Sequence, residues 1–189
     1  MKDNFIDILK ILIVFLSCNC ILIAEELNIT ASKVSFDKKK SKVILQGEIK
    51  AFDANNNTLY TDQAEYNKKS NLLNSFGITK IVTSQNYIFE SKNVEFDNKN
   101  KTIKSDFNTK IIDPDGNIIE VSMFNYNSIE NVLFSRGKIV LNDKNKNEFL
   151  FSEVYIDEKK KKIIGSDVKI FFNDKAFKAN PNNDPRIFA

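Results

Sequence analysis

Apolar and polar positions alternate along this chain in short runs, and the alternation itself recurs. Phe36, Tyr66, Phe96, Tyr126 and Ile156 stand 30 residues apart. Two positions earlier come Val34, Ala64, Val94, Phe124 and Val154; one position later come Asp37, Asn67, Asp97, Asn127 and Asp157. A second frame runs through Val43, Leu73, Ile103, Leu133 and Ile163, and a third through Ala51, Ile81, Ile111, Leu141 and Phe171. Five units in one register decide the architecture before any local propensity does.

Within a unit the period is two, the signature of a strand with one buried face. Strands are expected near 29–36, 42–52, 58–66, 72–83, 87–96, 102–112, 117–126, 132–141, 148–156 and 163–172. The connections are Asn/Lys-rich, or carry the turn signal Asp113-Pro-Asp-Gly116. In the first strand of each unit the apolar parity switches: Ile29 against Val34 and Phe36, Leu59 against Ala64 and Tyr66, Phe89 against Val94 and Phe96. A strand that exchanges its inward face must contain a bulge or a sharp bend. Gly47, Gly77 and Gly137 share one repeat position in the second strand, where glycine fits such a bulge. The expected fold is all-β: an open, twisted antiparallel β-jellyroll of about five 30-residue bent hairpins. Its first and last strands would leave backbone groups unpaired, as docking sites for another sheet.

Composition narrows the function classes. The chain has 189 residues, 42% hydrophobic and 28% charged, ordinary values for a folded domain. A net charge of +3 does not by itself argue for nucleic acid. Histidine is absent, which removes the commonest general base and zinc ligand. Residues 1–24 read as an export signal: Lys2 and Lys10 precede an apolar run from Ile11 to Ala24, shorter than the ~20 residues a membrane span needs. An uncleaved anchor is an alternative, and Phe15-Leu16-Ser17-Cys18 is a degenerate lipoprotein box. Both cysteines, Cys18 and Cys20, fall in this segment, so cleavage after Ala24 would leave no thiol and no disulfide framework.

No catalytic constellation emerges, and no metal or cofactor site is expected. There is no G-x-S-x-G and no phosphate-cradling glycine loop. Asp97, Asp157, Glu130 and Glu153 sit at or near turns and read as solvated surface. The lysine runs 38–40 and 159–162 also fall at turns, without the interleaved aromatics of a nucleic-acid surface. The protein is expected not to be an enzyme.

The inward register supplies the remaining candidates: Val34, Phe36, Leu45 and Tyr66 in the first units; Ile81, Val94, Phe96, Phe107 and Ile111 in the middle; Phe124, Tyr126, Leu133, Ile139, Val154, Ile156 and Ile170 towards the end. They describe either a plain packed core or the lining of a groove for a long apolar ligand. Ile29, Ala31, Val34 and Phe36 mark the first edge strand as a candidate dock. The domain is expected over 25–178, with 179–189 a linker leading out of the roll and the chain continuing beyond it.

The unit ITASKVSFDKKKSKVILQGEIKAF (29–52) and its successor FESKNVEFDNKNKTIKSDFNTKI (89–111) resemble the OstA-like repeat of lipopolysaccharide transport proteins. Ala31, Val34, Phe36, Asp37, Gly47 and Ile49 carry the match, and the resemblance extends over 28–175. The closing NDPRIFA (183–189) resembles the end of the periplasmic jellyroll in the family's outer-membrane assembly member, before its barrel. The resemblance implies a periplasmic, outer-membrane-associated domain that carries lipopolysaccharide by its lipid A acyl chains. It also implies two partners, a neighbouring jellyroll joined by edge-strand pairing and an outer-membrane barrel in the same chain. Free-standing and membrane-anchored members of the family share the fold and stay open as alternatives. One departure is the missing cysteine: many members carry one near the mature N-terminus for a disulfide to the barrel. From another class, a structural solenoid or adhesin whose repeats only pack on each other also fits the pattern.

Overall fold

In the computed structural model, which describes residues 27–37, 42–173 and 186–188, every element is a β-strand and every pairing is antiparallel. The strands form two sheets that share four long members. Sheet I holds β2 (Lys33–Asp37), the first half of β3 (Lys42–Phe52), the second half of β4 (Thr58–Asn67), β5 (Leu72–Ser75), β8 (Glu95–Asp97), β9 (Thr102–Ser105) and β12 (Phe124–Asn127). It ends with the first half of β13 (Val132–Asn142), the second half of β14 (Glu148–Asp157) and β15 (Lys162–Ser166). Sheet II holds β1 (Asn28–Thr30), the other halves of β3 and β4, β6 (Ile78–Val82), β7 (Ile88–Lys92), β10 (Thr109–Ile112) and β11 (Ile118–Val121). The other halves of β13 and β14, then β16 (Lys169–Phe171) and β17 (Arg186–Phe188), complete it.

The bent hairpin expected from the parity switch is the building unit. Between β3 and β4 the register jumps from Gln46 to Ile49 on one strand and only from Gln63 to Thr61 on the other. Two residues, Gly47 and Glu48, thus oppose Asp62 alone, the two-for-one count of a bulge. The same jump separates Arg136 from Ile139 opposite Glu153 and Phe151. Gly47 and Gly137 take φ of 73° and 100°, which the bulge requires and side chains resist. In the other six expected strands the bend breaks the run into a shorter pair, so the ten expected strands become sixteen, and Arg186–Phe188 in the tail adds a seventeenth among the described residues.

Bending frees backbone carbonyls, which must find donors. Hydroxyls on the inside of the bend supply them: Ser105 to Lys92 O at 2.7 Å, Ser135 to Met123 O at 2.7 Å and Thr61 to Ile78 O at 3.1 Å, while Ser75 Oγ adds a bond at 3.2 Å to Val94 O, which also accepts from the Ser75 N–H. All four side chains are buried.

The turns repeat as strictly as the strands. In one row, at 53–57, 113–117 and 143–147, an aspartate accepts from the backbone two and four residues on and from the last asparagine's side chain. That asparagine's own oxygen then accepts from the backbone of the next turn: Asn57 from Ser84, Asn117 from Lys144 and Asn147 from Asn173. The series skips one rung. Tyr87 holds the asparagine position there, and the position that would donate is Pro114, which has no N–H. Acceptor and donor are missing together. The turn expected at Asp113-Pro-Asp-Gly116 is one of this row.

The tail departs from one reading. Residues 179–189 were expected to lead away, yet Arg186–Phe188 pairs with β16.

A prediction follows from the bend. A Cβ on Gly137 would lie 2.8 Å from Ser122 Oγ, whereas one on Gly116 meets nothing within 4 Å. Both have positive φ, so Gly116→Ala should cost about 1 kcal/mol. Gly137→Ala should cost clearly more in urea unfolding, and equal costs would show that the bend tolerates a side chain.

Candidate functional site

The space between the sheets is walled on two sides and closed in the middle. One wall is the bend. The other is a seam where the two rows of turns meet. Across it Asn55 Nδ2 donates to Ser128 O at 3.3 Å, Ser84 Oγ to Asn131 Oδ1 at 2.9 Å and Thr83 Oγ1 to Glu158 Oε2 at 3.1 Å. Further along, the Lys161 ammonium lies 3.5 Å from the Asp115 carboxylate.

Between these walls the inward residues pack on each other. Phe89 of sheet II meets Phe124 and Tyr126 of sheet I, with ring centroids 5.1 and 5.9 Å apart. The gap they share with Ile81, Thr83 and Ile103 has no room for a water molecule. Of the sixteen inward candidates, Leu45, Tyr66, Ile81, Val94, Phe96, Ile111, Phe124, Tyr126, Leu133, Ile139, Val154 and Ile156 are buried. The middle of the roll is therefore a packed core in this state and holds no open channel.

Both ends differ. At the first end Val34 pairs with Leu45 and Phe36 with Val43, so both face inward. No opposing strand among the described residues covers them, and they are 62% and 61% exposed. Ile29 and Ala31 are half-buried beside them and pack on the core. β2 pairs with β3 through Lys33–Asp37, and no second strand ladder along Lys33–Phe36 forms among the described residues. At the other end Leu141, Phe149, Phe151, Ile163, Gly165 and Val168, with Asn117 and Asp143, line a cleft of about 430 Å³. Gly165 stands where earlier units have Ser75, Ser105 and Ser135, and a Cβ there would come within 2.3 Å of the Phe151 ring. Phe151 itself replaces the smaller Thr61, Ser91 and Val121, so the large ring and the missing side chain compensate. Ile170 is half-buried in this region.

Phe107 was expected to point inward and does not. It occupies the bend position of Gly47 and Gly137, and 45% of it is exposed. There the chain turns without positive φ, and the Phe107 N–H is donated to Ser105 Oγ at 3.2 Å.

Glu158 is the residue that sequence reasoning missed. It opens a charged run, EKKKK, that reads as a solvated turn, and Lys159–Lys162 are indeed exposed. Glu158 is 3% exposed. Its Oε2 accepts from Tyr126 Oη at 2.9 Å and from Thr83, while Oε1 has no partner. The signal was present: the inward parity Val154, Ile156 extends to 158, as Val94, Phe96 extends to the buried Asn98. Burial pushes the Glu158 carboxyl up to about 7, against the pull of the Tyr126 and Thr83 hydroxyls. Burial, then the charge of Glu158, raises the Tyr126 phenol and pushes Tyr87 up to about 12.

The export segment 1–24 and the lysine run 38–40 lie outside the described residues. No helix among the described residues is long and apolar enough to cross a membrane. No group of three or more His, Cys, Asp or Glu among them converges on a metal position.

No protein-family model matches the chain, and no curated protein matches it. Among solved structures it is similar to LptH, the LptA-homologous periplasmic component of the lipopolysaccharide transport device of Pseudomonas aeruginosa. The overlap covers 87% of this chain and 96% of that one at 9% identity and a TM-score of 0.30, a value at which it carries no argument.

Two measurements test this geometry. Phe96, fully buried, should cost roughly 3–5 kcal/mol when cut to alanine. Phe36→Ala at the open end should cost under about 1 kcal/mol in the same urea titration. The second concerns pH. Between 4.5 and about 7 the folded chain keeps a proton on Glu158 that the unfolded chain releases. This contribution is fully present below 4.5 and is lost as pH rises through about 7, for a total of roughly 3 kcal/mol. The stability difference between wild type and Glu158→Gln should therefore change over that window and level off above it.

Proposed function

We propose that this chain is a non-catalytic lipid carrier of lipopolysaccharide transport and outer-membrane assembly. In this reading it holds lipid A acyl chains between its sheets in the periplasm and passes them towards the outer membrane. The observation that carries the reading is an apolar interior walled by bend and seam but accessible at both ends. Val34 and Phe36 face inward uncovered at one end, and the aromatic-lined cleft lies at the other. The OstA-like motifs support it, and the NDPRIFA motif favours the N-terminal jellyroll of LptD, ahead of its barrel, over free-standing LptA-like or anchored LptC-like members. The side of β2 away from β3, along Lys33–Phe36, suits main-chain pairing with a neighbouring jellyroll.

A second reading has an observation of its own. The tight packing of Phe89, Phe124 and Tyr126 is what a structural repeat protein with no ligand would have.

Photo-crosslinking separates the two. A probe at Phe36 or Ile163, on the inward face at either end, should capture lipopolysaccharide in cells that make it. The same probe at Lys104 or Asn125, paired on the outer face of sheet I, should capture none. No capture at either end by a folded, exported protein leaves the structural reading standing. Capture at Phe96 as well would mean that the sheets part to admit the ligand.

A further inference from the structure

The seam contains one group that titrates near neutrality, and it joins elements far apart in sequence. Glu158, the residue just after β14, accepts from the Thr83 hydroxyl in the opposite row of turns and from the Tyr126 hydroxyl on β12. Tyr126 also reaches Asn131 Oδ1 at 3.2 Å, which accepts from Ser84 across the seam. Two further seam contacts are a neutral amide-to-carbonyl bond and an exposed ammonium–carboxylate pair.

We propose that Glu158 is a proton-sensitive latch on the seam: neutral, it keeps the two rows of turns together, and ionised, it lets them part. With Oε1 buried and unpartnered, an ionised carboxylate has only two hydroxyls to replace its hydration. Parting the turns admits water to it, so opening is favoured in proportion to the charge. Among the described residues, the ionisable groups around Glu158 oppose a second negative charge, and no cation acts on its carboxyl. Tyr126 and Tyr87 face Glu158 as neutral phenols, and the charges acting on them are Asp53, Asp113, Asp115 and Asp157. Of the lysines that follow it in the chain, Lys161 pairs with Asp115 and Lys160 with Asp157. The shifted titration of Glu158 places the change near pH 7. The latch stands whether or not the interior carries lipid, so it fails or survives separately from the carrier reading.

Hydrogen exchange on the full chain, expressed as protection factors so that the intrinsic pH effect cancels, tests it. The amides of Ser84, Ser128 and Glu158 lie on the seam, and those of Ser75 and Phe76 at the bend serve as controls. From pH 6 to 8 the seam amides should lose protection severalfold, up to about tenfold, while the bend amides hold theirs. In Glu158→Gln the seam amides should show no such loss. Thr83→Val removes a donor that favours the ionised form, so it should move the midpoint of opening to higher pH. That variant keeps the test decisive should Glu158→Gln not fold. Flat seam protection in the wild type, the same loss in Glu158→Gln, or an unmoved midpoint in Thr83→Val would each overturn the latch.

Discussion

The structure depends on one local constraint, the bulge that sets two residues against one. A strand of period two can bury only one face, and a flat ten-strand meander would leave its apolar face against water. Moving the inward parity by one residue at the bend lets a single hairpin contribute apolar residues to two sheets that face each other. Thr61 and Ala64 of β4 are both buried, although their spacing in a regular strand would send them to opposite faces. Stacking the unit then builds sandwich, bend and seam together, because each is the same position repeated every 30 residues.

The repeat is also where departures become readable. Where a position must adopt positive φ, glycine or asparagine is usual, as at Gly47, Asn71 and Asn131. Where the turn ladder has no acceptor at Tyr87, the donor is absent at Pro114. Where Phe151 grows, Gly165 shrinks. The last two are paired departures at positions that the repeat sets against each other, and the second changes what lines the interior. The Phe151 and Gly165 pair is the one that lines the cleft.

How much was legible follows from which interactions are periodic. Strand positions, the bend and most inward residues were readable because period two and period 30 both report on burial. Phe107 was misplaced because parity cannot say on which side of a bend the chain resumes its alternation, and Phe107 sits at the bend itself, between β9 and β10. Glu158 was missed because composition outweighed parity: a carboxylate before four lysines looks solvated until its two partners, 75 and 32 residues away, are known. The closure of the middle was not legible at all. An inward register is the same for a groove and for a core, and only the distance between facing sheets tells them apart.

That closure is compatible with a carrier on energetic grounds. Parting Phe89 from Phe124 and Tyr126 into water would forfeit about 25 cal/mol for each Å² of apolar surface uncovered, a prohibitive sum over a whole interior. Parting them around an acyl chain exchanges one apolar contact for another, and water is never admitted to that surface. The net cost is then only the loss of close packing between side chains shaped for each other. An interior that stays shut when empty is also protected from the aggregation that a long exposed apolar groove invites. Such a carrier would have to open progressively, led by the advancing chain, from an end where apolar side chains already meet solvent. Val34 and Phe36 at one end and the cleft beside Phe151 at the other are the places where that advance would cost least.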